Sequence, residues 1–527
     1  MIGNLPPGAI LLIGAAGVPF LKGRIKAAYL LLLPILAFFS VMALPEGTHW
    51  TVRFLDYDLI FGRIDPLSRA FGYIFTLVAF LGTLYALHVE DDGQHVAAFV
   101  ALGCALGATF SGDFLSFFSF LELMSVASTY LIWSGRTTAS YGAGMRYLLV
   151  HLLGGLCLLA GIVIHLGNTG SIAFEPIGLN GWDSYLMLIG LGISCAFPIL
   201  HAWLPDAYPE ASITGTVFLS ALSTKVAVYA LARTFPGTQL LIWIGAVMTV
   251  FPIFYAAIEN DLRRVLSYSI INQTGFMVVG IGLGTALSIN GTVAHVFNNV
   301  LFKSLLLMSI GAVMFQTGKA TVTDLGGLYK TMPLTTLLCC IGAASISGFP
   351  LFNGFVSKSM ITEAVAREGL GVLWLVLLFA SAGVLHHAGI KVPYHAFFSH
   401  DSGLRTKDPP ANMLAAMGIA AGLCVVIGVA PSTLFSILPN PVEYQPYTVS
   451  HVVDVLQLLS CAVLAFALLV LSGLHPVERR GILLDTDWFY RKPVQSFYRL
   501  IVRFLGSDEE SSHEVTIHGC QERDVPR

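Results

Sequence analysis

The sequence predicts an all-α integral membrane protein of about 14–15 transmembrane helices, and three observations carry that prediction. The 527 residues are 55% hydrophobic and only 11% charged, whereas a soluble chain carries about 25% charged residues. Apolar runs such as Ala27–Leu44, Phe71–Val89 and Val455–Leu474 follow one another along the chain. Each has the roughly 17 to 25 residues that cross about 30 Å of hydrocarbon as a helix. Finally, Lys and Arg collect in alternate connections between these runs, as the two sides of a membrane require.

Taken in order, spans are expected near 7–21, 27–44, 67–88, 95–110, 113–133, 146–166, 184–203, 211–233, 239–258, 264–285, 289–315, 331–366 (broken), 371–397, 412–430 and 452–474. Connections after the odd spans hold Lys22, Arg24, Lys26, Arg136, Arg146, Arg263, Arg264, Lys319, Lys330, Arg405 and Lys407. Those after the even spans hold mainly Arg53, Arg63, Arg233 and Arg367. The odd connections are therefore read as cytoplasmic, the N-terminus as outside and the C-terminal tail as inside. In that tail, Trp488–Phe504 mixes aromatic and basic residues, which suits a helix in the headgroup region. The residues from Ser507 are polar and are expected to be disordered.

A net charge of −3 with singly scattered cations gives no field for nucleic acid. Cys104, Cys157, Cys195, Cys339, Cys340, Cys424 and Cys461 lie in apolar runs without metal-site spacing and read as small buried hydrophobes. No oxygen-rich ligand cluster is apparent either, so neither a metal nor a cofactor is expected. Residues 1–21 lack the pattern of a cleaved secretory signal, and the first span is expected to be retained.

Against this apolar background four charges stand inside spans or beside a break: Glu122, Lys225, Lys303 and Lys358. An ionised group at mid-bilayer costs about 2.5–3.5 kcal/mol on insertion scales, so such residues mark pathways more often than structure. A structural Glu122–Lys225 pair, or snorkelling by Lys358, is the plainer reading. Lysine and glutamate suit a proton relay because their charge states respond to burial and to each other. His295, Asn299 and Lys303 recur at helical spacing and form one polar stripe. His151 and His165 are isolated and read first as hydrogen-bonded core residues.

Two segments interrupt the helical pattern, His201–Glu210 (HAWLPDAYPE) and Ser345–Gly354 (SISGFPLFNG). At membrane depth such breaks need protein or water to cover them, and paired breaks in two halves point to a transport path. One precedes Lys225 and the other precedes Lys358, which implies an internal repeat of about five helices.

These residues resemble the antiporter-like membrane subunits shared by respiratory complex I and Mrp-type sodium/proton antiporters, the Mrp D subunit being the nearest kind. The resemblance covers roughly residues 60–400. It rests on Gly112-Asp113-Phe114-Leu115 running into Phe120-Leu121-Glu122-Leu123-Met124, and on His201-Ala202-Trp203-Leu204-Pro205-Asp206-Ala207. It rests equally on Asp261-Leu262-Arg263-Arg264 with Ser267-Tyr268-Ser269, and on Ser347-Gly348-Phe349-Pro350 followed by Gly354-Phe355-Val356-Ser357-Lys358. It implies two inverted five-helix repeats, each with a broken helix, at 94–233 and 238–400. N-terminal helices at 1–90, C-terminal helices at 410–475 and a cytoplasmic tail at 476–527 flank them. It further implies a relay in which Glu122 is the fifth-helix glutamate, Lys225 the central lysine, Lys303 its counterpart near His295, and Lys358 the residue at the exit half-channel.

The chain departs from the family pattern at two positions. Ser194 stands where relatives carry the lysine that pairs with the glutamate, and Asn299 stands where many carry histidine. Serine and asparagine hold water but do not carry a net proton as lysine does. His151, or His386, His387 and Lys391, are the candidates for a rewired path, with His201 and Asp206 as auxiliary motif residues. The resulting expectation is a proton-translocating subunit of a multi-subunit monovalent cation (Na+)/proton antiporter in a bacterial inner membrane, itself not an enzyme. Other membrane subunits and lipid are its expected partners. The rivals are a pump module of a complex I-like redox enzyme and the membrane partner of an inorganic-carbon uptake complex.

Overall fold

The computed structural model describes residues 5–473 and 484–488. Residues 484–488 form a short turn in the tail, a separate unit from the main body. The rest of the expected amphipathic helix and polar tail lies outside the described residues.

The main body begins with α1 (Pro7–Gly17), α2 (Gly23–Ala43), β1 (Gly47–Phe54), β2 (Tyr57–Ile64) and α3 (Pro66–Tyr85). A first group of helices follows: α4 (Asp92–Phe110), α5 (Phe114–Trp133), α6 (Thr138–Thr169), α7 (Trp182–Cys195), α8 (Trp203–Ala207), α9 (Ile213–Ala221) and α10 (Ser223–Thr234). A second comprises α11 (Gln239–Ile258), α12 (Leu262–Leu283), α13 (Ala286–Thr317), α14 (Pro333–Ser347), α15 (Asn353–Arg367) and α16 (Gly371–Val384), the last continuing in π-helical turns over Leu385–Lys391 and Tyr394–Phe398. The body closes with α17 (Ala411–Val429), α18 (Ser432–Phe435) and α19 (Val449–Leu471).

Twelve described helices are long and apolar enough to cross a membrane. The short α1 with its 3₁₀ extension and the broken pairs α7/α8 and α14/α15 account for the remaining expected spans. The antiparallel β1–β2 hairpin departs from the all-helical expectation. In β1, Thr48, Trp50, Val52 and Phe54 alternate with their neighbours over only eight residues, whereas β2 runs Leu59-Ile60-Phe61 together, in a connection too short to span.

The two helix groups are pinned by matching devices. Asp113 caps α5 by accepting from the Ser116 amide at 2.7 Å, and Asp261 caps α12 by accepting from the Arg263 amide at 2.7 Å. Beside them, Phe114 N–H donates to Ile172 O (2.8 Å) and Leu262 N–H to Ala320 O (3.0 Å). Each aspartate thereby fastens a helix start to the segment that follows a 32-residue helix, α6 or α13. Both long helices end on a left-handed glycine, Gly170 (φ 72°) and Gly318 (φ 70°), where a side chain would be strained.

The first break lies earlier than expected. α7 stops at Cys195, and the chain is irregular through Ala202, so the Trp203–Ala207 part of the motif is itself a helical turn. Pro198 removes a backbone donor, and Ala196 (φ 61°) and Ile199 (φ 74°) adopt left-handed geometry. The second break repeats the pattern around Pro350, with Gly348 (φ 81°) and Leu351 (φ 74°). A left-handed conformation disfavours continuation of a right-handed helix, so these positions end α7 and α14.

α12 is central and buried along nearly its whole length, whereas Leu459 is the one buried residue of α19. Glycines permit the tightest contact in the core. A β-carbon on Gly245 would meet Val279 N at 2.6 Å, and one on Gly275 would meet Thr249 N at 2.7 Å, so α11 and α12 approach backbone to backbone.

Candidate functional site

In the second group, α13 supplies a polar face to the protein interior. His295 and Asn299 are fully buried and Lys303 is 1% exposed, one helical turn apart in succession. The Lys303 ammonium donates to Ser269 Oγ on α12 at 2.7 Å. His295 Nδ1 is 3.0 Å from Ser357 Oγ on α15, next to Lys358 in sequence. The break then becomes useful chemically: Lys358 donates to Ile346 O at 2.6 Å, a carbonyl that the end of α14 leaves without a helical donor. Its ammonium also lies 5.7 Å from the Phe276 ring centroid. Asn298 donates to Asn353 O at 2.8 Å and ties α13 to the start of α15.

In the first group, Lys225 is fully buried on α10 and donates to Thr224 Oγ1 at 3.1 Å. The helix is interrupted at Leu222 (ψ −88°), which separates α9 from α10 just before this lysine. Across from it, α6 carries Tyr147, His151 and Gly155 at one-turn spacing. The Tyr147 hydroxyl is 2.7 Å from Ser223 Oγ. His151 stacks on the Tyr147 ring (4.0 Å between centroids) and meets the edge of Trp203 (4.5 Å). Its Nδ1–H donates to Tyr147 O at 3.0 Å.

Glu122 departs from the expectation of a deeply buried charge. It is half-buried on α5, between buried Leu121 and exposed Leu123, and its carboxylate rests on Gly155 so closely that a β-carbon there would overlap it. The plain alternative of a Glu122–Lys225 ion pair is not what the structure shows, since Lys225 turns to Thr224.

Lys225, Lys303 and Lys358 thus each have an oxygen acceptor but no carboxylate. On the helices that carry or face these lysines are buried polar atoms without a protein partner: His151 Nε2, Gln273 Oε1, His295 Nε2, and side-chain atoms of Asn299 and Asn353. Leaving such an atom dry costs about 1–3 kcal/mol, so this row is built to be solvated. A hydrated row of amines, imidazoles, amides and hydroxyls can pass protons. Among the described residues no group of three or more His, Cys, Asp or Glu is placed to hold a metal.

The auxiliary residues fall into two kinds. Asp206 accepts a bidentate pair from Arg146 (2.6 and 2.9 Å), a latch between α8 and α6. Lys391 is buried and caps the end of α11 through Ala257 O and Glu259 O, both at 2.7 Å. His165 is held by Asp183 at 2.9 Å, and His201 packs on the Phe251 ring at 4.6 Å. These four have local structural work to do. His387 is buried beside His386, which meets Phe466 of α19 at 5.3 Å. Ser194 is buried at the end of α7. Tyr147, Gly155 and Ser223 are not singled out by the sequence, and Ser269 and Ser357 stand there only as motif residues, without their roles as partners of Lys303 and His295. The one-turn spacing of Tyr147, His151 and Gly155 could have flagged the first two, while the serines are identified only by contacts across the fold.

The fold and this interior row define a multi-pass α-helical membrane protein of the antiporter-like class. Residues 111–385 match the family model described as NADH:quinone oxidoreductase/Mrp antiporter, TM. The N subunit of the NADH-quinone oxidoreductase of Desulforudis audaxviator is 31% identical over 399 residues, 69% of this chain and 79% of that protein. The A/B subunit of a probable K(+)/H(+) antiporter of Rhizobium meliloti is 29% identical over 402 residues, 70% of this chain but 40% of the relative. The chain therefore spans less than half of that longer relative. In fold it is similar to a chain of the Mrp complex from Dietzia sp. DQ12-45-1b, with a TM-score of 0.73 at 20% identity over 87% of this chain and 99% of that one. The chain belongs to the NADH:quinone oxidoreductase/Mrp antiporter transmembrane family. Its relatives come from both machines, so the likeness defines the family and does not single out the Mrp D type within it.

Proposed function

We propose that this protein is the proton-translocating membrane subunit of a multi-subunit monovalent cation/proton antiporter, with sodium or potassium as the exchanged ion. The helices of 94–233 and 238–400 act as its two inverted repeats, and the protein sits in a bacterial inner membrane with its N-terminus periplasmic and its C-terminus cytoplasmic. One observation carries the reading: Lys225, Lys303 and Lys358 are at most 5% exposed, each bound to a neutral oxygen, in a row of unpartnered polar atoms. A lysine held by a single neutral oxygen has no fixed counter-charge. Its protonation then follows whichever proton, water or neighbouring charge arrives. Glu122 on the outer face of α5 supplies the other end of the relay. The antiporter names among the relatives support the coupling to a cation.

A second reading, a proton-pumping module of a complex I-like redox assembly, is favoured by the 79% coverage of the oxidoreductase relative. Purification of the intact complex separates the two, since iron–sulfur or flavin subunits accompany only the redox form. The test of the relay is cation-driven proton movement in everted vesicles. Glu122→Gln and Lys225→Ala are each expected to abolish most of it, and full activity in both would overturn the reading.

A further inference from the structure

A relay from Glu122 to Lys225 meets a gap in this chain, because Ser194 cannot hold a net proton. The gap is flanked by α6, and α6 is furnished at that point. Its inward residues Tyr147, His151 and Gly155 run one turn apart from the Lys225 side to the Glu122 side. Gly155 bears the Glu122 carboxylate, His151 comes next, and the Tyr147 hydroxyl is 2.7 Å from Ser223 Oγ, beside Thr224, which accepts from Lys225.

The histidine's tautomer follows from its contacts. Nδ1 faces the Tyr147 carbonyl, which only accepts, so Nδ1 carries the hydrogen and Nε2 of the neutral ring carries the lone pair. That Nε2 is buried and has no protein partner. Trp203, anchored by donation to Ile193 O at 2.9 Å, closes the ring in from the side. The second group has the complementary arrangement. At the same distance beyond Asp261 as His151 lies beyond Asp113 stands Asn299, and at the corresponding place for Tyr147 stands His295, which touches Ser357 next to Lys358 as Tyr147 touches Ser223 two residues before Lys225.

We propose that His151 and Tyr147 replace the missing family lysine and carry the proton from Glu122 to Lys225. A proton leaves the Glu122 carboxyl through water and binds His151 Nε2, giving a carboxylate and an imidazolium. It leaves from the same nitrogen through water to the hydroxyls of Tyr147, Ser223 and Thr224. Each hydroxyl takes a proton on oxygen and releases its own, and the neutral Lys225 amine becomes an ammonium. The net change is one proton moved from carboxyl to amine, with nothing stored between. This proposal rests on the relay reading above.

The test uses the intact complex in everted vesicles. His151→Ala and Tyr147→Phe are each expected to cut proton movement at least about tenfold while leaving the complex assembled. Adding Ser194→Lys to either variant is expected to restore movement, because it supplies the family's own carrier; added imidazole should also rescue His151→Ala. Full activity of both single variants overturns the proposal. So does loss of activity that neither the lysine nor imidazole repairs, which marks a packing role. If Glu122→Gln and Lys225→Ala are themselves fully active, the relay reading fails first, and that outcome is distinct from either of these.

Discussion

The two helix groups solve the same problem with different chemistry. Around the second break, the freed carbonyl of Ile346 takes a lysine, and α13 presents an imidazole, an amide and an amine in succession. Around the first break, Ile193 O near the end of α7 accepts both from the Ala196 amide and from the neutral indole of Trp203, and α6 presents a phenol, an imidazole and a glycine. Charge in the second group is held by flexible amines that reach for oxygen. In the first, the buried amine is Lys225, which donates to the Thr224 hydroxyl. The contrast teaches that a carbonyl at the end of a broken helix can take a cation or a neutral donor, and that the side chains nearby decide which.

The largest test of this contrast is transport by lysine variants. Lys303→Ala and Lys358→Ala are each expected to lower cation-driven proton movement about a hundredfold, roughly 2.7 kcal/mol in the barrier. Equal, small losses in both would mean that the second group is a passive scaffold.

The next concerns the clasp of the first group. Arg233 at the end of α10 donates to both oxygens of Asp65 at 2.7 and 2.8 Å. Arg233→Ala strands the partly buried carboxylate and is expected to cost about 2 kcal/mol, read as a lower melting temperature in detergent. Burial opposes the charge of Asp65, but the Arg233 hydrogen bonds and charge, with the Ser68 amide and Arg63, outweigh it and hold its pKa below the ordinary value. A depressed folded-state pKa contributes stability above about pH 4 that is lost as pH falls through the folded value. The wild-type melting temperature should therefore fall faster on acidification than that of Asp65→Asn.

Smaller effects should follow at the helix starts. Asp113→Ala and Asp261→Ala each remove an N-cap worth about 1 kcal/mol. The loss at Asp113 should be the greater, because its second oxygen also accepts from the Ile60 amide at 2.7 Å. Smallest of all, Asp58→Asn in the exposed Arg53–Asp58 pair should move stability by no more than about 0.5 kcal/mol.

Much of the fold was legible because hydrophobic length is a direct physical demand of the bilayer. Every expected span overlaps a helix or broken helix, although α6 begins eight residues before the expected start and α7 ends eight residues before the expected end. The first break lies earlier than the prolines of His201–Glu210 predict because Pro198 already interrupts the chain, and a left-handed Ile199 carries no sequence signal. The hairpin was missed because a short polar connection between spans gives no hydrophobic period long enough to read. Lys225, Lys303 and Lys358 stood out because charge in an apolar run is costly, and the structure buries all three. Glu122 stood out for the same reason, yet its half-exposure depends on the helices beside it. The capping contacts of Lys391, a rewired-path candidate in sequence, are not legible there because its carbonyl partners lie more than a hundred residues away.

The hairpin also has a temporal meaning. Its Ile60 amide is taken up by Asp113, Arg63 donates to Phe174 O at 2.7 Å, and Asp65 waits for Arg233. Each of these partners is synthesised well after the hairpin residue that it serves. The β-strands accordingly emerge with loose ends in water and are tied off in sequence as α5, the end of α6 and then α10 arrive. A chain halted before residue 233 would carry an unfinished clasp, with the Asp65 carboxylate lacking its Arg233 partner.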